Sequence, residues 1–145
     1  MSTSTSATRS ASASAHPELC VGAIVIDDGC LLLIRRGRGA GVGMWSVPGG
    51  RVELGETMRA ATARELAEET GLDGVVTKHV GWVERIGGGY HFVIHDYLVT
   101  VPGRAGARAG DDASEVAWVP LDQLDQLPGI VAGLTDFLRQ HAIID

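Results

Sequence analysis

Residues 50–72 read GRVELGETMRAATARELAEETGL. From Thr57 to Thr70 this stretch is dense in Ala, Glu, Leu and Arg, which lose little freedom in a helix. Thr57 offers an N-cap hydroxyl and Gly71 a stop. On a helical wheel of about 100° per residue, with Glu65 at zero, Glu68 falls at about −60° and Glu69 at about +40°. The three carboxylates share one arc, and Ala60, Ala63 and Ala67 lie opposite. The pattern predicts a helix that lays its alanine face closely on a sheet and keeps the other face acidic.

That acidic face is unfavourable on its own. Glu65 repels Glu68 and Glu69 at helical spacing, each pair costing about 0.2–0.5 kcal/mol. The group also sits in the last turns, where the helix dipole disfavours negative charge. Only Arg59 and Arg64 compensate locally. The helix alone leaves two readings open, a solvated acidic surface or a divalent-cation site. For a cation, carboxylate oxygens suit Mg²⁺ or Mn²⁺ rather than zinc, and no Cys or His cluster lies nearby.

Working outward, Trp45 to Pro48 is extended, because the residues before a proline avoid the helical region. Leu19 to Ile26 and Cys30 to Arg35 read as two paired strands around an Asp28-Gly29 turn. In that register Cys20 faces Gly37, and the thiols of Cys20 and Cys30 stand about 23 Å apart at ~3.3 Å per residue. No disulfide is expected, which points to a reducing cytoplasm. On the other side, Val75 to Ile86 and Tyr90 to Val101 flank Gly87-Gly88-Gly89 as a second hairpin. Pro102 to Asp112 is a loop and Glu115 to Val119 a short strand. Leu121 to Leu127 and Ile130 to Ala142 look helical. This order predicts an α/β fold, a mixed sheet with helices packed on it.

The whole chain of 145 residues is 45% hydrophobic with a net charge of −6. It has no apolar run of the roughly 18 residues a membrane span needs, and no Lys/Arg cluster for a nucleic-acid polymer. Residues 1–16 are mostly Ser, Thr and Ala and read as a mobile tail without the apolar core of a secretion signal. The folded domain is expected over 17–145.

The central stretch resembles the signature of the Nudix hydrolase family. That signature is Gly, five residues, Glu, seven residues, Arg-Glu, an apolar residue, any residue, Glu-Glu, any residue, Gly, an apolar residue. Gly50, Glu56, Arg64, Glu65, Leu66, Glu68, Glu69, Gly71 and Leu72 fill its positions without departure. The approach through Arg35-Arg36 and Trp45-Ser46-Val47-Pro48-Gly49 is similar to the family's, as is Trp118-Val119-Pro120-Leu121. The resemblance implies an α/β/α sandwich that hydrolyses the diphosphate of a nucleotide. It implies that the Gly50 carbonyl, Glu65, Glu68 and Glu69 hold magnesium, or manganese in its place. Arg64 would orient Glu65, and Glu56 would support the loop–helix junction. The general base would be a box glutamate or a later carboxylate; Glu115 is the preferred later residue, with Asp111 and Asp112 behind it.

Specificity must come from outside this stretch. His91, Val93, His95 and Tyr97 share one strand face, and His91 and His95 could line a nucleotide pocket. Trp82 could stack on a base or sit in the core, with the core slightly favoured. Arg35 and Arg51 could hold phosphate or ribose. The chain looks most like the ADP-ribose pyrophosphatase branch, although Gly87 and Gly88 stand where those enzymes often carry Pro. A nucleoside triphosphate substrate, as in MutT-like sanitation enzymes, or a nucleotide sugar is the alternative; a noncatalytic nucleotide-binding role is a third. Family members often dimerise, so a homodimer is possible.

Overall fold

The computed structural model describes residues 16–39, 41–110 and 112–144. The expected N-terminal tail, up to Ala15, and Asp111 lie outside the described residues. Among the described residues eight strands and two α-helices follow one another as β1 (Glu18–Ile24), β2 (Ile26–Asp27), β3 (Cys30–Arg36), β4 (Trp45–Ser46), β5 (Gly49–Arg51), α1 (Met58–Thr70), β6 (Val75–Gly87), β7 (Tyr90–Thr100), β8 (Ala113–Pro120) and α2 (Leu134–Gln140). A 3₁₀ turn over Leu121–Gln126 precedes α2.

One sheet has the order β5-β1-β7-β6, with β1 and β7 parallel and the other pairs antiparallel. The second is built on β3, which pairs with β8 along one edge and with β2 and β4 along the other. Two apolar cores cover the two faces of this β layer. Val21, Ala23, Leu32, Tyr97 and Val99 pack with Ala61 and Leu66 of α1. Ile24, Leu31 and Leu33 pack with Leu134, Phe137 and Leu138 of α2. The fold is therefore the α/β/α arrangement with a mixed sheet. Leu66 is fully buried, and truncating such a residue to Ala typically costs about 2–5 kcal/mol.

The first hairpin is much shorter than the sequence suggests. Asp28 and Gly29 both have positive φ, 49° and 74°, as a two-residue I′ turn requires. However, pairing runs only from Ile26-Asp27 back to Val25, whose carbonyl accepts from the Leu32 N–H at 2.9 Å. Before that the chain leaves β3 and becomes β1 of the other sheet. Between β5 and β7 both edges of β1 find hydrogen-bond partners, which one hairpin partner could not supply. Cys20 thus pairs with Arg51 and Ile94 rather than facing Gly37, and both cysteines are free.

The C-terminal region also differs. Helix is confined to Leu134–Gln140, because Gly133 has φ 85° and the backbone before it is engaged elsewhere. Trp45 N–H donates to the Gly129 carbonyl and Val131 N–H to the Trp45 carbonyl, both at 2.8 Å. Helix α1, by contrast, begins and ends where the caps place it. Thr57 accepts from the Ala60 N–H, and Gly71 closes the helix at φ 76°. Among the described residues no helix is long and apolar enough to cross a membrane.

Candidate active site

Helix α1 lies against β1 and β5, but with the face opposite to the one its composition suggests. Ala60 and Ala67 are exposed, whereas Ala61, Thr62, Leu66, Glu69 and Thr70 are buried. The acidic side is the one that meets the sheet. The reason is the glycine pair of β5. Gly49 N–H donates to Glu69 Oε1 at 2.9 Å, and a methyl group on Gly50 would run into all three atoms of the Glu65 carboxylate. Two residues without side chains make room for two carboxylates, one of which takes a backbone donor.

Glu69 is only 2% exposed. Burial pushes its carboxyl up to about 7, against the pull of the Gly49 N–H, with the charge of Glu65 adding to the rise. Its other oxygen accepts no hydrogen bond from the described residues. Burial also raises Glu65, opposed by Arg64.

Arg64 holds the cluster together. Its Nε and Nη2 bind Glu56 at 2.7 and 3.0 Å, Nη1 reaches Glu65 at 3.0 Å and Glu68 at 3.2 Å, and Nη2 also binds the Arg51 carbonyl at 3.0 Å. These contacts use all five guanidinium N–H groups. The hydrogen bond from Arg64 holds the Glu56 carboxyl down at about 2. Glu56 Oε1 also accepts from the Glu53 N–H at 3.0 Å, closing the loop before α1.

Among the described residues no three His, Cys, Asp or Glu groups converge into a ready metal cage; Arg64 stands between Glu65 and Glu68. The donor set nevertheless fits a hard cation. It is all oxygen, it is crowded with carboxylates, and it includes a buried Glu69 oxygen without a donor among the described residues.

The other sequence candidates divide into two groups. Arg35 and Glu115 face each other across β3 and β8 and form an ion pair at 2.9 Å, with Arg35 Nε also on the Gly43 carbonyl. Asp112, paired with Arg38 at 2.5 Å, is the later-loop acid whose charge bears on Glu65 and Glu69. Arg51 is paired with Glu18 at 2.7 Å and lies over Phe92. His91, His95 and Trp82 share a face of the β6–β7 ribbon. Trp82 is 55% exposed and so is not a core residue; it stacks near His95, which meets His79 at 2.9 Å, while His91 binds Glu84 at 2.9 Å. No hydrogen bond among the described residues joins this group to the α1 carboxylates.

Sequence reasoning passed over Asp96. It is 5% exposed, and burial pushes its carboxyl up to about 7, with the charge of Arg85 pulling the other way. The signal was present, since Asp96 is the only carboxylate within Tyr90–Thr100.

A family model described as the NUDIX domain matches residues 16–141. The ADP-ribose pyrophosphatase of Methanocaldococcus jannaschii is 36% identical over 115 residues, which cover 77% of this chain and 67% of that protein. The putative mutator protein MutT4 of Mycobacterium tuberculosis is 39% identical over 85 residues; these are 56% of this chain and only 34% of that protein. The solved structure of a MutT NUDIX hydrolase from Burkholderia pseudomallei superposes with a TM-score of 0.77 at 29% identity, covering 86% of this chain and 98% of that one. Fold, site and relatives together define an enzyme that hydrolyses pyrophosphate bonds. The chain belongs to the Nudix family.

Proposed function

We propose that the chain hydrolyses, with magnesium, the diphosphate of a nucleoside diphosphate linked to a second group, an ADP-ribose-like compound being favoured. The observation that carries this reading is the Arg64 network, which holds Glu56, Glu65 and Glu68 beside the glycine strand that anchors Glu69. Magnesium, with manganese as a substitute, would be held by Glu65, Glu68, Glu69 and the Gly50 carbonyl. Bound there, it supplies charge neutralisation of the phosphoryl oxygens and activation of water. Arg64 fixes the direction of Glu65 and Glu68 by charge-assisted hydrogen bonds. Glu115, held by Arg35, takes the proton of the attacking water. Arg51 and Arg35 are assigned as phosphate or ribose contacts, and Trp82, His91 and His95 as a polar, aromatic strand face for a nucleotide. The ADP-ribose preference is supported by the relative so named. A cytoplasmic enzyme fits the two free cysteines.

A second reading, a nucleoside triphosphate pyrophosphohydrolase, is favoured by the glycine hairpin at Gly87 to Gly89 in place of a proline and by the two MutT-named matches. One experiment separates the readings. Purified enzyme is offered ADP-ribose, nucleotide sugars and the nucleoside triphosphates with Mg²⁺ or Mn²⁺, and the products are identified. AMP with ribose 5-phosphate supports the first reading, and nucleoside monophosphate with pyrophosphate the second. No metal-dependent turnover of any member rejects both.

A further inference from the structure

Helix α1 ends on groups that repel one another. Its last turn carries Glu68 and Glu69 and no basic residue, and its free carbonyls form the negative end of the helix dipole. Two carbonyls are satisfied from within: Ala67 by the Gly71 N–H at 2.8 Å and Leu66 by the Thr70 hydroxyl at 2.7 Å. Those of Glu69 and Thr70 are met from outside, by the loop between β7 and β8. Gly110 N–H donates to the Glu69 carbonyl and Arg108 N–H to the Thr70 carbonyl, both at 2.9 Å. The cation missing from the last turn comes from the same loop, because the Arg108 guanidinium fills the space that a side chain on Gly71 would need.

Gly110 is packed hard against α1. A Cβ there would collide with the Glu68 carbonyl oxygen, a backbone atom that cannot swing aside. The need for glycine is steric, since Gly110 does not adopt a positive φ. Anchors on the second sheet hold the loop in this place. Before Gly110, Arg104 binds the Asp27 carboxylate at 2.9 Å and the Asp27 carbonyl at 2.7 Å, and lies over the Trp118 ring. After it, the Asp112 carbonyl accepts from the Gly37 N–H at 2.6 Å, and the Asp112 carboxylate pairs with Arg38. Glu69 is thus gripped twice by glycine N–H groups, its carbonyl by Gly110 and its carboxylate by Gly49.

We propose that Gly110 is a positioning residue for the cation-holding end of α1: by seating the anchored loop on the Glu68 and Glu69 backbone, it sets where their carboxylates stand. This rests on the proposed metal-holding role of those glutamates. The core fixes α1 at Leu66, so a methyl group on Gly110 lifts the loop rather than the helix. The Glu69 and Thr70 carbonyls then lose their donors, and the last turn that carries both acids is free to fray. Groups that orient metal ligands from behind act on metal affinity without touching the ion. The coupling runs both ways: if the seated loop favours the cation, the cation favours the seated loop.

The test is a titration of the wild type, Gly110→Ala and Gly106→Ala with Mn²⁺, the free ion being read by electron paramagnetic resonance without turnover. Gly106 is the control for loop strain: it has φ 88°, which alanine tolerates badly, but a Cβ there meets nothing within 4 Å. Gly110→Ala is expected to bind Mn²⁺ at least about tenfold more weakly than wild type, and Gly106→Ala within about twofold of it. Should Gly110→Ala not fold, amide exchange of the wild type decides: Mg²⁺ is expected to slow exchange at Gly110 and Arg108 by about tenfold, the reciprocal of the same coupling. Wild-type Mn²⁺ affinity in Gly110→Ala, an equal loss in Gly106→Ala, or exchange at Gly110 indifferent to Mg²⁺ would each overturn the proposal. A wild type that binds no Mn²⁺ would instead reject the metal-holding role of α1 itself.

Discussion

The guanidinium of Arg64 meets the carboxylate of Glu56 through two parallel hydrogen bonds, Nε to Oε2 at 2.7 Å and Nη2 to Oε1 at 3.0 Å. The remaining N–H groups then point in fixed directions, at Glu65, Glu68 and the Arg51 carbonyl. A lysine ammonium carries the same charge but cannot present a planar fork. Arg64→Lys is therefore expected to lower kcat at least about tenfold through misdirected carboxylates, with the fold retained. Steady-state kinetics beside a circular dichroism melt check this, and wild-type kcat in a folded variant would contradict it.

Glu68→Gln and Glu69→Gln separate activity from stability. With Glu68 and Glu69 in the proposed metal-holding role, each is expected to lower kcat by at least about a hundredfold, since a neutral amide cannot replace an anionic ligand. Glu69→Gln keeps an acceptor for the Gly49 N–H and removes a charge from a buried position. Because the folded Glu69 carboxyl lies near 7, above the usual 4.5, wild-type stability falls as pH rises from about 4.5 through 7. In EDTA near pH 8 the Gln variant should melt higher than wild type. A lower melting temperature there, or near-normal metal-dependent turnover in both variants, would sink the assignment.

Glu115 sits 2.9 Å from Arg35 at the register pair joining β3 and β8. Glu115→Gln keeps the size and removes the proposed base, and is expected to lower kcat at least about tenfold. Unchanged kinetics would move the base to the carboxylates of α1.

Asp96 makes a separate prediction about pH and stability. Its folded carboxyl is raised from 3.8 to about 7, so the native state binds the proton more tightly than the unfolded chain. The contribution is fully present below about pH 4 and is lost as pH rises through about 7, an effect on the order of 4 kcal/mol. Asp96→Asn has no proton to lose. It should match wild type in urea unfolding near pH 4 and exceed it near pH 8. A stability difference that does not change with pH would show that the carboxyl ionises without penalty.

Much of this architecture was legible in the sequence, and the parts that were not share a cause. The limits of α1 were readable because Thr57 and Gly71 act locally on the backbone. Its orientation was not, because a wheel groups residues by face but says nothing about the opposing surface. The partner of the acidic face is Gly49 and Gly50, and only the folded chain brings their bare backbone against Glu65 and Glu69. The β1–β3 hairpin was overread for a related reason, since the turn is local and the partners of β1 in β5 and β7 are not. Asp96 was passed over because alternation drew attention to His91 and His95 on the other face.

Gly50→Ala tests that last dependence directly. The added methyl would overlap the carboxyl of Glu65, which is the end of a flexible side chain, so the helix need not move and the cost in stability should be small. The carboxylate must swing away, however, and it cannot do so while keeping its 3.0 Å bond to Arg64 Nη1. Arg64 would keep Glu56 and lose Glu65. With Glu65 in its proposed role, loss of kcat of at least about tenfold with the melting temperature within a few degrees of wild type is the expected result, because misplacing one such group by about 1 Å is enough for such a loss. A variant that keeps full activity would mean that Glu65 works from a position other than the one beside Gly50, and the strand would then serve only to seat Glu69.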